Sequence, residues 1–405
     1  MSAVASYRAL LRTVGPAYVL VAFLGRIPLA MSQLGALVMV SEVSGRYALG
    51  GAAAGSLAIA NAVGAPIAGM LADRIGQRPV VLVQSLVGAA GLAALVAVTT
   101  PTAPAWLIVT VAAATGLMLP QVGPLARVRW RPITAQDQPG PSEQRRLIDA
   151  AFSYEGAADE ASFVLGPALI GVLGVLLDPS GAVIAAAVIL AVFGTWFGIH
   201  PTARLVAKAA SVVEDGRLWT LAFGVLIVAQ FFVGTLFGSI QTGSTVLATA
   251  AGQAGLTGLI HACLGIGSVI AGLSITALPE RFLYSTRMLA AATALFFFAI
   301  PLWWVDSLGA LVAVISVLGF AVAPYMISNF ALAGIIVPIT KIGTAMTFLA
   351  AATGLGYATG AGIAGRLADA GGHQPAFGVT IAAAWGALLL AIIANSVLRR
   401  ARVVS

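Results

Sequence analysis

Charge is what this chain has least of. Asp, Glu, Lys and Arg make up 9% of its 405 residues, against about 25% in an ordinary globular domain. Hydrophobic residues supply 60%, too much apolar surface for a water-soluble body of this size to cover. A cytosolic enzyme, a nucleic-acid reader and a large soluble receptor head are therefore excluded. Cysteine is nearly absent: Cys263 stands alone in an apolar stretch, which excludes a disulfide framework and a Cys-based metal site. Three histidines are too few for a metal-spaced His/Cys cluster or a Ser/His/Asp arrangement beyond chance. No phosphate-binding P-loop occurs either, so no cofactor, metal or enzymatic chemistry is expected.

What the chain does have is long apolar runs. Breaks at Gly, Pro and charge clusters divide it into spans at about 14–40, 47–72, 79–100, 104–126, 147–177, 182–200, 218–247, 253–278, 288–305, 308–331, 342–367 and 375–397. All should be helices, because backbone groups in lipid must be satisfied within the segment. Arg8 and Arg12 before the run Val14–Gly25 look like the start of a signal peptide. The run continues past Arg26 to about Val40 without a cleavage site, and reads as a retained first span. Of the 21 basic residues, Arg46 and Arg366 fall on one side and Arg26 inside the membrane. The rest, with Arg127, Arg129 and Arg131 among them, fall on the side of the N-terminus. The positive-inside rule then puts both termini in the cytoplasm of a bacterial-type plasma membrane. The formal net charge of +7 reflects that orientation, with anionic lipid headgroups rather than nucleic acid as its partners.

The chain also repeats itself. Asp73 has Gly69 four residues before and Gly76 three after; Asp178 has Gly174 and Gly181 at the same offsets, and Asp369 has Gly365 and Gly372. Each lies where the second span of a three-span unit turns into the third. The remaining unit, near Gly272, keeps only a polar turn at Pro279, Glu280 and Arg281. Units of about 100 residues entering from alternate sides are the pattern of nested inverted-repeat transporters. The polar stretch 201–217 divides an N-terminal six-helix half, 1–200, from a C-terminal one, 218–405.

The segment Gly69-Met-Leu-Ala-Asp73-Arg74-Ile-Gly76-Gln77-Arg78 closely resembles the loop signature of the major facilitator superfamily, G-x-L-A-D-R-x-G-R-[KR]. The resemblance implies an all-α fold of twelve transmembrane helices in two six-helix halves. It also implies a conformational latch in this loop. The aspartate would face the positive end of a helix in the other half, and Arg74 and Arg78 would make charge-assisted bonds. Gln77 departs from the usual basic residue and would weaken the latch. Gly166-Pro167 and Gly171 form a partial copy of the fifth-span glycine/proline motif of the superfamily's antiporters, with Ser162 and Ile170 replacing two glycines. The fourth-span arginine of its proton-linked exporters is missing from the expected place, where Ala112 stands.

Charges inside the spans bear on function. The fifth span carries Glu155, Asp159 and Glu160, each costing about 2.5–3.5 kcal/mol at a helix centre. Glu155 and Asp159 share a helix face, and Glu160 points about 100° away. Arg26, Asp159 and Glu160 lie at similar depth, about 20 Å from Arg12 and Arg146 at 1.5 Å per residue, so an ion pair between spans one and five is allowed. One arginine cannot neutralise three carboxylates, and an unpaired carboxyl in low dielectric binds a proton. That is what a proton-coupled carrier needs; the alternative is a static pair that positions helices. In the second half Gln230, Gln241, His261, Tyr325, Asn329 and Tyr357 are candidates to line a substrate cavity, with helix-to-helix bonding as the plainer reading.

These observations point to a monomeric secondary transporter that exports a small amphipathic compound, neutral or cationic, in exchange for protons. Arg26, Glu155, Asp159 and Glu160 would couple the proton; Gly69, Asp73, Arg74, Gly76 and Arg78 would gate. A polyanionic substrate is disfavoured if Arg26 is the single intramembrane cation. An importer or facilitator of a sugar or other metabolite, a lipid transporter, and a non-transporting scaffold are the alternatives.

Overall fold

A computed structural model describes residues 3–136, 140–210, 216–253, 256–275 and 282–401. These residues form fifteen α-helices: α1 (Ala3–Ser44), α2 (Tyr47–Ile75), α3 (Gln77–Val98), α4 (Ala105–Met118), α5 (Val122–Thr134), α6 (Pro141–Leu177), α7 (Pro179–Ile189), α8 (Thr195–Ile199), α9 (Thr202–Ala210), α10 (Leu221–Ala250), α11 (Thr257–Ser274), α12 (Tyr284–Ala299), α13 (Leu308–Ile336), α14 (Ile342–Gly371) and α15 (His373–Arg400). No strand occurs among them. Ten helical stretches are long and apolar enough to cross a membrane, and α11 and α14 complete the twelve expected spans. α14 is rich in glycine, alanine and threonine because it is wedged between α10 and α2.

Two of the expected spans are built differently. The first helix is broken at Gly15 (φ 76°), so a short amphipathic stretch precedes a span that restarts at Pro16. The fourth is interrupted at Leu119-Pro120-Gln121, dividing it into α4 and α5. Pro120 has no N–H to continue the ladder, and Asn61 of α2 meets the freed carbonyls: its Nδ2 donates to Gly116 and Leu119 at 3.1 and 3.0 Å. Gln121 closes the arrangement by donating to Asn61 Oδ1 at 2.7 Å. The stretch expected to link the halves is partly helical: α9 packs on α3 and α5.

Three inter-helix turns are single residues with positive φ, each ending one helix and starting the next. They are Gly76 (φ 89°), Asp178 (φ 94°) and Gly372 (φ 77°). Asp178 tolerates the strain because its carboxylate accepts from the Gly181 N–H at 2.7 Å. The Asp-centred repeat is therefore corrected at one copy. Around Asp73 and Asp369 the turn falls on the following glycine, but around Asp178 it falls on the aspartate itself. The polar turn at Pro279, Glu280 and Arg281 lies outside the described residues.

The buried apolar residues form three clusters, two within the first half and one in the second half that also takes in Val128, Phe152 and Val206, and small residues let the helices meet at backbone distance. Gly234 and Gly238 of α10 face Gly356 and Gly360 of α14. A Cβ on any of them would collide with a carbonyl of the other helix: Thr353, Tyr357, Phe231 and Thr235 respectively. This is the small-xxx-small packing that lets membrane helices associate without a hydrophobic drive. Gly116 of α4 likewise meets the Leu57 carbonyl of α2. Between the halves, α2 packs on α14, α6 on α11 and α13, and α5 on α14.

Gly238→Val should force α10 from α14. Overpacking costs about 1–3 kcal/mol or more, so the melting temperature of detergent-purified protein is expected to fall clearly below that of Gly224→Val, whose Cβ meets open space.

Candidate functional site

Four charged side chains from three helices form one buried network in the first half. Arg26 of α1 donates from Nη2 to Glu155 Oε2 at 2.6 Å and from Nη1 to Asp159 Oδ1 at 2.8 Å, while its Nε donates to the Ala22 carbonyl at 3.0 Å. Arg127 of α5 pairs with the other oxygen of Asp159 at 2.7 Å. Trp130 Nε1 donates to Glu155 Oε1 at 2.7 Å. Glu155 is fully buried and Arg26 nearly so. One turn of α6 thus puts both carboxylates against Arg26, and each gains a second partner from α5.

The sequence reading counts Arg26 as the only cation in the spans, and the structure corrects it. Arg127 and Arg129, assigned to a loop by the charge bias, are buried because α5 continues the interrupted fourth span as a helix. Arg129 donates to Gln77 Oε1 at 2.8 Å, to the Phe197 carbonyl at 2.8 Å and to Thr202 Oγ1 at 3.1 Å, and its guanidinium lies 3.6 Å from the Phe197 ring centroid. Arg127 lies 4.2 Å from the ring of Phe330 on α13, across the seam between the halves. Arg127 Nε and Arg129 Nη2 have no acceptor among the described residues. The argument against an anionic substrate, which needed a single intramembrane cation, no longer holds. Glu155, one of the expected proton-coupling residues, is enclosed.

Glu160 stands apart. It is buried, turned away from the network toward Ser268 of α11, and has no ion-pair partner among the described residues. Gly166 packs against Ala30 and Met31 of α1, whereas Gly171 meets open space; Pro167 lies within α6 between them.

The loop signature bridges the halves. Asp73 Oδ1 accepts from Gly343 N at 2.9 Å, and Oδ2 accepts from Thr344 N and Oγ1 at 2.7 and 2.6 Å. The N-cap of α14 is Lys341, which offers no acceptor, so a carboxylate of the other half caps this helix. Gly69 permits the approach, since a Cβ there would collide with Thr347. Gly76 supplies the turn. Arg74 and Arg78 do not make the expected bonds: both are exposed and unpaired among the described residues. Gln77 is the inward residue, donating to the Leu125 carbonyl at 3.2 Å and accepting from Arg129. A basic residue there would oppose Arg129, which is the physical reason for the departure.

A second tie went unread in the sequence. Asp149 of α6 accepts from the Tyr284 hydroxyl and from Arg287 Nη1, at 3.3 Å, both on α12 of the other half. Tyr7 Oη donates to the Leu273 carbonyl at 3.0 Å, and Arg131 Nη1 to the Gly334 carbonyl at 3.4 Å. These side-chain bonds between halves lie at the end of the bundle that carries both termini. No side-chain bond joins the halves at the opposite end among the described residues.

The second-half candidates fall into two groups. Gln230, Tyr325 and Asn329 are fully buried; Asn329 Nδ2 donates to the Leu226 carbonyl at 3.1 Å and to Gln230 Oε1 at 3.3 Å, tying α13 to α10. Gln241, His261 and Tyr357 are half-buried, and the Tyr357 hydroxyl bonds Gln241 Oε1 between α14 and α10. The structure does not bring these six residues together.

No protein-family model and no curated protein sequence matches the chain. Solved structures do. The human organic anion transporter MFSD10 (TETRAN) superposes with a TM-score of 0.67 at 21% identity, covering 94% of this chain and 99% of that one. A bacterial homologue of the iron transporter ferroportin in an outward-facing state also gives 0.67, at 15% identity, covering 94% and 98%.

Removing one member of the buried network should cost more than removing two. Arg26→Met leaves Glu155 and part of Asp159 uncompensated, at about 3–5 kcal/mol. Arg26→Met combined with Glu155→Gln should recover part of that loss in thermal unfolding of purified protein; a double-variant loss equal to the sum of the two single losses would show the pair to be uncoupled. A second expectation concerns the latch. In a Cys263→Ser background, spin labels at Arg78→Cys and Ser274→Cys should report a single distance, and Asp73→Ala should add a longer population.

Proposed function

We propose that this chain, which has the major facilitator fold, is a secondary transporter of a small amphipathic compound, working by alternating access and exchanging its substrate for protons. The observation that carries the reading is the division of the α6 carboxylates. Glu155 and Asp159 are held by arginines inside the first half. Glu160 lies buried on the seam with no cation opposite it among the described residues. A carboxyl so placed can gain or lose a proton without breaking an ion pair, and its charge state bears directly on the packing of α6 against α11. The Asp73 cap and the Asp149 tie close the end carrying the termini in this state. With that end in the cytoplasm, as the charge bias supports even after Arg127 and Arg129 move inside, the conformation is outward-open.

A second reading has a specific observation behind it. Arg26 and Arg127 pair with Glu155 and Asp159, and a third buried guanidinium, Arg129, has no carboxylate partner among the described residues; that surplus positive charge suits an organic anion as substrate. The TETRAN likeness points the same way.

Acid-loaded proteoliposomes with an internal pH dye test both. External neutral or cationic amphiphiles should release protons with wild type, and Glu160→Gln should abolish that release. Labelled compound crossing without proton movement would instead make the chain a facilitator. Release triggered by organic anions alone, lost in Arg127→Gln, would select the second reading.

A further inference from the structure

The first and second halves share an apolar groove of about 710 Å³ on the flank of the bundle, between α1, α6 and α11. Leu11, Pro16, Leu20 and Phe23 of α1 form one wall, Tyr154 of α6 the other, and Leu273 of α11 contributes from the second half. The volume falls in the range that holds a drug-sized ligand. A substrate pocket needs a few convergent polar groups to select its ligand, and this groove has none to offer. The Tyr154 hydroxyl is already committed to the Val19 carbonyl at 3.1 Å, and that of Tyr7 to the Leu273 carbonyl. What the groove recognises is a hydrocarbon chain.

Its polar end is the short helical stretch before Gly15. There the backbone turns through φ 76°, ψ 156°, so Ala3–Val14 leaves the line of the span. Leu11 lies in the groove, and Arg8 and Arg12, both exposed, flank it on that stretch. Arg8 is three residues from Leu11 and shares its side of the helix. Apolar walls with a pair of guanidiniums at the terminal end make a site for an amphiphile with a negatively charged head. We propose that the groove holds one acyl chain of an anionic phospholipid from the surrounding leaflet, its phosphate on Arg8 and Arg12. The lipid then bridges both halves beside the Tyr7 to Leu273 bond. This assignment is independent of the transported substrate.

Native mass spectrometry of the full-length protein, released from nanodiscs of phosphatidylglycerol and phosphatidylcholine in equal amounts, tests it. Wild type should retain phosphatidylglycerol preferentially. Arg8→Gln/Arg12→Gln should lower that retention about twenty-five-fold, from about fivefold per surface arginine. Ala161→Trp, which fills the groove, should remove the bound lipid. Arg399→Gln/Arg400→Gln, an exposed basic pair elsewhere, should retain it as wild type does. Equal retention of the two lipids, an equal loss in the Arg399/Arg400 pair, or displacement by oleate at equimolar concentration would overturn the proposal. Should Ala161→Trp fail to fold, the two exposed arginine pairs still decide it.

Discussion

The structure depends on neutralising two carboxylates that α6 carries into the membrane. Each central charge on a lone helix costs about 2.5–3.5 kcal/mol, so Glu155 and Asp159 need cations at fixed positions. Arg26 supplies one. The other comes from α5, which reaches Asp159 with Arg127 and Glu155 with Trp130. The interruption at Pro120 separates the face of α5 from that of α4. The cost of the interruption, two freed carbonyls in a dry interior, is met by Asn61 and Gln121. A helix break, a buried amide pair and an ion network are thus one arrangement.

α5 also joins this network to the signature loop. Arg127, Arg129 and Trp130 are neighbours on one short helix; the first and last hold the carboxylates, and Arg129 holds Gln77 at the start of α3. Gln77 sits four residues from Asp73, the group that caps α14. The loop is therefore anchored from beneath by a charge-assisted hydrogen bond within the first half, leaving its aspartate to reach across the seam. Contiguity of this kind is a physical connection between the charge cluster and the tie; coupling between them is a matter of energies.

Within each half, glycine-to-carbonyl packing leaves little room for adjustment, as at Gly238 and Gly356. Across the seam the directional side-chain bonds are few and gathered at one end. A body divided into two tightly packed units, tied by caps and single ion pairs, has its weakest directions where the ties are, because a few directional bonds are easier to exchange than a close-packed core.

Composition and hydropathy alone determined the membrane class and the all-helical build, because backbone satisfaction in lipid permits little else. Spacing determined that Glu155 and Asp159 share a face and that Glu160 does not, since 3.6 residues per turn fixes direction. The Asp73 motif was legible because glycine and an acidic cap leave a local signature. Tertiary structure alone decided the partners. Arg127 and Arg129 read as loop charges, since charge bias counts residues near a span's end and takes no account of a helix that continues past a proline. Gln77 read as a weakened latch, because its role depends on Arg129, 52 residues away. Asp149 carried no motif at all; its tie to α12 exists only because the packing of α6 and α12 presents Asp149 and Tyr284 at the same end of the seam.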